Sequence, residues 1–190
     1  MISKIELYHY TSYDALISIL TNQEIWLGDL WHMNDCEEHL YYIKNLRKRV
    51  LRLSKNQKQK ALIENEFHEF FEYINKYYTF AISFSLLKND VSQWERYADK
   101  GKGVCIIFNR EILESLKYLQ LRLQKIFYKH ENFSSEHIVN YMKIINNCSP
   151  RDFGTFKEWK ENVFATASAY KHPSFSSEQE VRILTLPISK

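Results

Sequence analysis

Four short stretches of the chain carry residues that could do chemistry, and all of them fall on predicted strands or at strand ends. A neutral histidine offers one donor and one acceptor nitrogen, and an aromatic ring can stack on a flat ligand. A carboxylate can accept hydrogen bonds and can stabilise positive charge that develops during a reaction. The four stretches contribute these candidates: His9 with Thr11, Ser83 with Ser85, Ser92 with Trp94 and Tyr97, and Glu178 with Glu180.

Each of these stretches also has an ordinary structural explanation. A histidine in a strand is most often a satisfied core or edge residue, and strand serines often cap a sheet edge. Trp94 and Tyr97 have the i, i+3 spacing of helix packing, and an ExE sequence is usually solvated surface. Taken one at a time, the structural explanation is favoured for every stretch.

The length and composition of the chain bound what these residues can belong to. The chain has 190 residues, of which 45% are hydrophobic and 26% charged, which predicts one folded domain with a single core. The first residues lack the apolar segment of a secretory signal, and no apolar run is long enough for a membrane span. A cytoplasmic location is therefore expected. Cys36, Cys105 and Cys148 lie outside zinc-site spacings, so neither a metal site nor a disulfide framework is predicted.

Several common enzyme classes are excluded by missing motifs. The chain has four glycines and contains neither GxGxxG nor GxxxxGK followed by Ser or Thr, which excludes Rossmann dehydrogenases and P-loop NTPases. It also lacks HExxH and GxSxG, so the sequence does not support assignment to the zinc peptidases or the α/β-hydrolases. Any chemistry must come from residues scattered along the sequence.

A basic stretch from Lys44 to Lys60 is the main departure from an otherwise balanced charge of +3. A basic helix of this kind can lie along the phosphates of RNA or DNA without reading sequence. The favoured alternative is a solvated helix face that turns Leu46, Val50, Leu51 and Leu53 inward. The stretch is therefore a secondary indication of nucleic-acid contact.

The periodicity of the sequence predicts an α+β fold with a mixed or antiparallel sheet. Short strands are expected near both ends and in the middle, with long helices between them. The predicted strands are about 5–10, 25–27, 78–86, 104–108 and 181–187. The predicted helices are about 11–20, two helices within 37–77 interrupted near 55–58, a short helix after residue 90, and helices over 109–123, 135–146 and 155–170.

Taken together, the stretches resemble the signature blocks of a widespread bacterial family of uncharacterised domains. The blocks are LYHYTS with ALISIL and MNDCEE, then SFSLLKNDVSQWERYADKGKGVCIIF, then YKHPSFSSEQEVRIL, of which WxxYA with GVCIxF is the most specific. Their order is similar to that of the ADP-ribosyltransferase superfamily, in which a split α+β core binds NAD between two small sheets. The resemblance implies split mixed or antiparallel sheets in one domain over residues 1–190, with helical insertions at about 37–77 and 110–170.

The resemblance also implies cofactor-binding residues. Enzymes of the histidine, tyrosine, glutamate class begin with a strand that carries His, a small residue, and Thr or Ser, which here are His9, Tyr10 and Thr11. The histidine of that class hydrogen-bonds the adenosine ribose of NAD, and Tyr10 stands where the class usually has glycine. A tyrosine on a short helix stacks on the nicotinamide ring in such enzymes, and Tyr97 has that place, one helical turn after Trp94.

Serine residues of the middle stretch extend this set of implied cofactor-binding residues. Ser83 and Ser85 in SFS resemble the Ser-Thr-Ser sequence of the other main subclass, although the middle threonine is absent. We therefore include both serines among the residues expected to line the NAD site.

The catalytic glutamate of the superfamily begins a late strand, and the matching residue here is Glu180. An ionised carboxylate in that place can hold the 2'-hydroxyl of the sugar and offset the charge of an oxocarbenium-like transition state. Glu178 resembles the first glutamate of an ExE pair, and strand alternation predicts that it lies on the same side as Glu180, where an acceptor approaches. Arg182 is expected on that side too, where it could pair with a phosphate of NAD, with Glu178, or in a salt bridge at the rim.

The expected function is therefore ADP-ribosyl transfer from NAD to a protein or nucleic-acid acceptor, and the biological setting implied by the resemblance is a bacterial toxin or a phage-defence effector. Two alternatives remain open at this point. One is an NAD glycohydrolase, in which water replaces the acceptor. The other is an inactive module that binds nucleic acid or protein.

Overall fold

The aromatic and aliphatic residues of ELYHYT favour extended structure at the start of the fold. In the computed structural model, which describes residues 6–33, 38–119, 121–128, 135–147 and 153–189, this run forms strand β1 (Glu6–Thr11). Ser12 follows it and caps helix α1 (Tyr13–Asn22), because the serine hydroxyl accepts a hydrogen bond from the Ala15 N–H at 3.0 Å. The strand and the helix predicted here are confirmed.

The remaining elements are short strands and helices. In chain order they are β2 (Gly28–Asp29), α2 (Glu38–Arg52), α3 (Gln57–Ile74), β3 (Tyr77–Tyr78), β4 (Phe80–Ser85), α4 (Val91–Tyr97), β5 (Val104–Asn109), α5 (Arg110–Glu114), β6 (Leu121–Lys125), α6 (Ser135–Asn147), α7 (Phe153–Ala167), β7 (Glu180–Thr185) and β8 (Ile188–Ser189).

The chain divides into two units, each with buried apolar residues of its own. The first unit comprises residues 1–29, 80–126 and 174–186, and the second comprises residues 30–79, 127–173 and 187–190. Within the described residues, the buried apolar side chains form separate clusters. The assignment of residues 1–190 to one domain stays a prediction.

The first unit contains a six-stranded sheet in the order β5-β1-β4-β7-β6, with β2 also paired to β4. Every strand pair described in this sheet is antiparallel. The long pairings are those of β1 with β5, β4 with β7, and β6 with β7. Together with the helices, this sheet confirms the α+β class and the antiparallel alternative of the sequence prediction.

A single residue pair, Tyr8 opposite Ser85, joins β1 to β4. Farther along the same edge of β4, β2 pairs through Gly28 with Ala81 and through Asp29 with Phe80. Among the described residues, the segment of β4 between these two contacts has no strand partner on that edge. The sheet thus consists of the β1–β5 ribbon and the β4–β7–β6 part, and the unpaired stretch of the β4 edge between the contacts of β1 and β2, which includes Ser83, is the gap in the sheet.

The two faces of this sheet differ in character. The apolar face carries a buried cluster to which α5 contributes, formed by Leu7, Ile82, Phe84, Leu113, Val181 and Ile183. Side chains alternate along a strand, so Ser83, Ser85, Glu180 and Arg182 lie on the opposite face, which we call the polar face. Helix α4 packs on the polar face, where Trp94 and Tyr97 contact a cluster of Tyr8, Tyr10 and Ala98.

The second unit is mainly helical, and its core is rich in aromatic rings. Helices α2, α3, α6 and α7 contribute most of the cluster, in which Phe67, Tyr141 and Trp159 contact one another in tilted and edge-on geometry. The two-stranded β3–β8 pair belongs to this unit. The two predicted helices within 37–77 are confirmed, with the break at residues 53–56. The basic stretch is therefore two helices and a turn.

Three local predictions were wrong. The strand expected at 25–27 lies at Gly28–Asp29. The helix expected over 109–123 ends at Glu114, continues as a 3-10 turn (Ser115–Leu119), and gives way to β6, because LRLQK also fits a half-buried edge strand. Leu53, expected to turn inward, follows the end of α2 and is 51% exposed, whereas Leu46 and Val50 are buried.

Candidate active site

The centre of the candidate site is the carboxylate of Glu180, the first residue of β7. Its Oε1 atom accepts hydrogen bonds from the Ser83 hydroxyl and from Arg182 Nε, both at 2.5 Å, and its Oε2 accepts one from Arg182 Nη2 at 3.0 Å. Glu180 is 5% exposed and Arg182 is 1% exposed. The ionised Glu180 carboxylate and the Arg182 guanidinium therefore form a buried ion pair with two hydrogen bonds, which is the strong geometry for such pairs.

The strand register explains how these three residues meet. Ser83 lies directly opposite Arg182, and Ser85 lies directly opposite Glu180. Because side chains two residues apart share one face of a strand, all four side chains project from the polar face. The predicted position of Glu180 at the start of the late strand is confirmed, and the cation beside Glu180 is Arg182.

His9 reaches the same place from the other face of the sheet. It follows Tyr8, which shares a face with Ser85, so alternation places His9 with the apolar cluster. Its ring lies 5.8 Å from that of Phe84 and 6.5 Å from that of Phe108. Its Nδ1 atom is 2.8 Å from the carbonyl oxygen of Ser83 and therefore donates to it.

The environment of His9 keeps its imidazole neutral. Burial lowers the pKa of His9 below its ordinary value of 6.5, and the hydrogen bond to Ser83 opposes that effect more weakly. With Nδ1 protonated, Nε2 of the neutral ring is a hydrogen-bond acceptor. The resemblance implied that His9 binds ribose through a neutral ring; Nδ1 is used inside the protein, and a ribose contact of His9 stays a prediction.

Helix α4 supplies the aromatic residues of the site. Asp90 caps it by accepting from the Gln93 N–H at 3.0 Å, and a hydrogen bond from the Ser92 hydroxyl lowers the pKa of Asp90. Trp94 meets the ring of Tyr10 edge-on, with 5.2 Å between the ring centroids. Tyr97 ends the helix, which confirms its predicted place on a short helix after the middle strand.

Gly103 allows α4 and β1 to approach each other closely. A Cβ atom at this position would lie 2.3 Å from the carbonyl oxygen of Thr11 and 2.8 Å from the backbone carbon of Ala98. Any larger residue would therefore push the end of α4 away from β1. Thr11 itself ends β1 opposite Val104.

Tyr10 and Ser85 hold backbone segments beside the site. The Tyr10 hydroxyl donates to the carbonyl oxygen of Leu87 at 2.8 Å and accepts from the Asp90 N–H at 3.3 Å. The Ser85 hydroxyl donates to the carbonyl oxygen of Glu178 at 2.8 Å and accepts from the Leu87 N–H at 3.0 Å. These contacts fix the loop that leads into α4, and a direct contact of either residue with a cofactor stays a prediction.

Glu178 does not lie on a strand, which corrects the alternation argument made from the sequence. It ends a 3-10 turn (Pro173–Glu178), and β7 begins two residues later. Its buried Oε1 atom accepts hydrogen bonds from Arg96 Nη1 and from the Tyr97 hydroxyl, both at 3.0 Å. Glu178 is therefore bound to α4, and Glu180 is bound to β4 and to its own strand.

Gln179 causes this separation of the two carboxylates. Its φ angle is 42°, in the left-handed region that residues other than glycine rarely adopt. The turn is stabilised by a hydrogen bond from the Leu86 N–H to the Gln179 carbonyl oxygen at 3.1 Å. Because this residue breaks the extended conformation, the period-two rule cannot be carried from Glu180 back to Glu178.

Sequence reasoning missed Arg96, which lies in the WERY segment directly before Tyr97. Its side chain is 49% exposed while it pairs with Glu178. A cation in the last turn of a helix is a common and favourable arrangement, so the residue type alone gave no functional signal. The contact with Glu178 joins residues 82 positions apart and could not be read from spacing.

Comparison with known proteins adds one match. Residues 93–183 match the model of a family described as "Protein of unknown function (DUF2971)". The matched segment is just under half of the chain and includes Trp94, Tyr97, Glu178, Glu180 and Arg182, whereas His9 and Ser83 precede it. The resemblance to an uncharacterised domain family is confirmed over this segment. No curated protein and no solved structure matches the chain.

Two other kinds of feature, a membrane-spanning helix and a metal-binding cluster, are not found in the part of the chain that the structure describes. Among residues 6–33, 38–119, 121–128, 135–147 and 153–189, none of the helices combines the length and the apolar character needed to cross a membrane. Across the same ranges, His, Cys, Asp and Glu side chains do not form groups of three or more that could hold a metal ion.

Proposed function

We propose that this chain transfers ADP-ribose from NAD and that Glu180 is its catalytic carboxylate. The observation that carries the proposal is the fixed Glu180 carboxylate, held by Ser83 and Arg182 beside the one residue pair that joins the two parts of the sheet. A rigid anion at the start of a strand, next to a gap in a sheet, suits a reaction in which positive charge develops on a sugar.

The proposed reaction breaks the bond between C1' of the ribose and the nicotinamide nitrogen. The bonding electron pair goes to the ring nitrogen, so nicotinamide leaves as a neutral molecule and the ribose passes through an oxocarbenium-like state. Glu180 stabilises that state and binds the 2'-hydroxyl. The acceptor then forms a bond to C1' through its own electron pair and loses a proton.

Aromatic and charged residues on the polar face support NAD as the substrate. Trp94 and Tyr97 lie on α4, on the same side of the sheet as Glu180, and provide ring surfaces on which nicotinamide can stack. Arg96 is half exposed and can bind a phosphate of NAD, whereas the more deeply buried Arg182 is engaged with Glu180. Arg96 therefore takes the phosphate role expected of Arg182, and Glu178 positions Tyr97.

His9 contributes to this proposal through its acceptor nitrogen. Because Nδ1 donates to Ser83, Nε2 is the atom that can accept a hydrogen bond from a ribose hydroxyl. His9 lies on the apolar face, so this contact requires the adenosine end of NAD to reach the gap between β1 and β2 on the edge of β4.

One observation favours a second candidate, the binding module without turnover. Glu180 is buried and already accepts hydrogen bonds from Ser83 and Arg182, an arrangement that also occurs in purely structural ion pairs. NAD hydrolysis at the same site is the other alternative, in which water replaces the acceptor. The toxin or phage-defence setting belongs to the proposal only through the sequence resemblance.

The test is release of nicotinamide from NAD by the purified chain, with and without added RNA and cell lysate. We expect Glu180→Gln to reduce release by at least about 100-fold, the effect of removing a key electrostatic group. The matched control is Glu114→Gln, which removes a carboxylate that pairs with Arg110 on the surface of the same unit and should leave release unchanged. Circular dichroism reports whether each variant is folded.

The outcomes separate the three candidates. Adenylate-labelled NAD leaves a covalent adduct on an acceptor if the chain is a transferase and yields free ADP-ribose if it is a hydrolase. Normal release by a folded Glu180→Gln variant would remove Glu180 from the mechanism. If the wild type releases no nicotinamide under any of these conditions, the binding module replaces the enzyme.

A further inference from the structure

The second unit presents a basic surface where α2 ends and α3 begins. We define this surface, the basic corner, by five side chains: Lys48, Arg52, Lys55, Lys58 and Lys143. All five are exposed, and within the described part of the chain none of them forms an ion pair. The surface therefore consists of unneutralised positive charge.

Local hydrogen bonds build this corner from three helices. Asn56 caps α3 by accepting from the Gln59 N–H at 2.9 Å, and the Gln59 side chain accepts from the Lys55 N–H at 2.7 Å. The same Gln59 side chain donates to Asn146 near the end of α6 at 3.2 Å. That contact brings the end of α6, and with it Lys143 one turn earlier, to the start of α3.

The distribution of acidic residues leaves the corner positive. The sequence contains neither Asp nor Glu from Lys44 to Ile63, and the next acid, Glu64, is bound by Arg47. The acid of α6, Glu136, lies at the opposite end of that helix from Asn146. Lysine in the first turn of α3 also opposes the helix dipole, which destabilises a helix slightly. Such an arrangement is unfavourable for folding alone and favourable for binding an anion.

We propose that the basic corner binds the sugar-phosphate backbone of nucleic acid without reading its sequence. Phosphate contacts by lysine and arginine supply sequence-independent affinity, and neighbouring amides such as Asn56 and Gln57 can hydrogen-bond phosphate and sugar oxygens. A membrane surface is the weaker fit, because interfacial helices bury an apolar stripe in the lipid. In α2 the apolar residues Leu46 and Val50 are buried in the protein core, and Leu53, which follows the helix, is exposed.

The proposal is independent of NAD turnover and has its own test. Fluorescence anisotropy with labelled 20-nucleotide RNA, single-stranded DNA and duplex DNA is measured from 50 to 200 mM salt for the full chain. The test variant carries Lys48→Gln, Lys55→Gln and Lys58→Gln. The matched control carries Lys76→Gln, Lys117→Gln and Lys125→Gln, which remove the same charge from exposed lysines elsewhere.

We expect the test variant to lose at least about tenfold in affinity and to reduce the salt slope by roughly two to three, about one for each phosphate contact removed. The control variant should keep the wild-type affinity and slope. Equal losses in both variants would overturn the proposal, since binding would then follow net charge alone. Absence of binding by the wild type at 50 mM salt would overturn it as well.

Two further arms distinguish nucleic acid from other polyanions. Vesicles that contain phosphatidylserine test the membrane alternative by co-sedimentation, and polyglutamate of matched charge tests an acidic protein. Preference for RNA or DNA over both probes supports the proposal. Equal or tighter binding to vesicles or to polyglutamate would overturn it in favour of that class of partner.

Discussion

His9 and Glu180 bind the same residue, Ser83, from opposite faces of the sheet. His9 Nδ1 donates to the Ser83 carbonyl oxygen at 2.8 Å, and the Ser83 hydroxyl donates to Glu180 at 2.5 Å. Ser83 lies on β4 beside the gap between β1 and β2. The two residues that the sequence singled out for sugar binding and for catalysis are therefore positioned by one shared strand residue.

The ion pair between Arg182 and Glu180 should be strongly coupled. Removing one partner leaves a buried charge without compensation, so we expect Arg182→Met to lower the free energy of unfolding by about 3–5 kcal/mol. Replacing both partners, as Arg182→Met with Glu180→Leu, should recover most of that loss because neither charge remains buried. Urea denaturation of the wild type, both single variants and the double variant measures the coupling.

The surface pair Arg110 and Glu114 is the control for this cycle. Its side chains are 37% and 51% exposed, so its coupling energy should be about 0.3–0.5 kcal/mol. If the double variant at Arg182 and Glu180 loses the sum of the two single losses, the two side chains act independently and the pair does not hold the site.

A second prediction concerns the turn that separates Glu178 from Glu180. Gln179 has a φ of 42°, and a left-handed residue other than glycine is strained by roughly 1–2 kcal/mol. Glycine removes that strain but makes the unfolded chain more flexible, which offsets about 0.4–1 kcal/mol. We therefore expect Gln179→Gly to leave the free energy of unfolding unchanged or to raise it by up to about 1.6 kcal/mol.

Ser177→Gly is the matched control, because Ser177 is also exposed and is not among the residues with positive φ. There glycine should destabilise the chain by about 0.5–1 kcal/mol. Gln179→Val should be destabilising, since β-branched residues tolerate the left-handed region poorly. Equal losses from Gln179→Gly and Ser177→Gly in thermal denaturation would show that the turn is not strained.

The sequence predicted those parts of the site that depend on local signals. The late strand and the short helix after residue 90 followed from patterns of neighbouring residues, and the resemblance assigned Glu180 and Tyr97 to these two elements. The β1 strand and the following helix were found for the same reason. These signals are contained in segments of fewer than about fifteen residues.

Features that depend on distant contacts or on unusual backbone angles were not predicted. The register that places Ser83 opposite Arg182 joins residues far apart in sequence, and no local pattern encodes it. The left-handed angle at Gln179 redirected Glu178 to Arg96 and Tyr97. LRLQK fits both an amphipathic helix and an edge strand, and its pairing with β7 decides the outcome in favour of β6.

A third prediction follows from two partly buried histidines. Burial lowers the pKa of His9 below 6.5, and burial lowers the pKa of His137 as well. Below the ordinary value of 6.5, each histidine binds a proton more readily in the unfolded chain than in the folded one. The stabilisation from the neutral rings is therefore fully present above about pH 6.5 and is lost as the pH falls toward the lowered values.

We expect the melting temperature of the wild type to fall as the pH is lowered from 7.5 to 5.5. The fall should be smaller for His9→Asn. Asparagine is chosen because its amide can still donate to the Ser83 carbonyl oxygen. His32→Asn is the control, because His32 is an exposed histidine and the substitution makes the same chemical change elsewhere in the chain. If His9→Asn and His32→Asn show the same pH profile as the wild type, His9 is not held neutral by burial.

The KM for NAD of the same variants separates a binding role of His9 from a structural one. A ribose contact through Nε2 predicts a higher KM for folded His9→Asn at pH 7.5. A purely structural role predicts an unchanged KM.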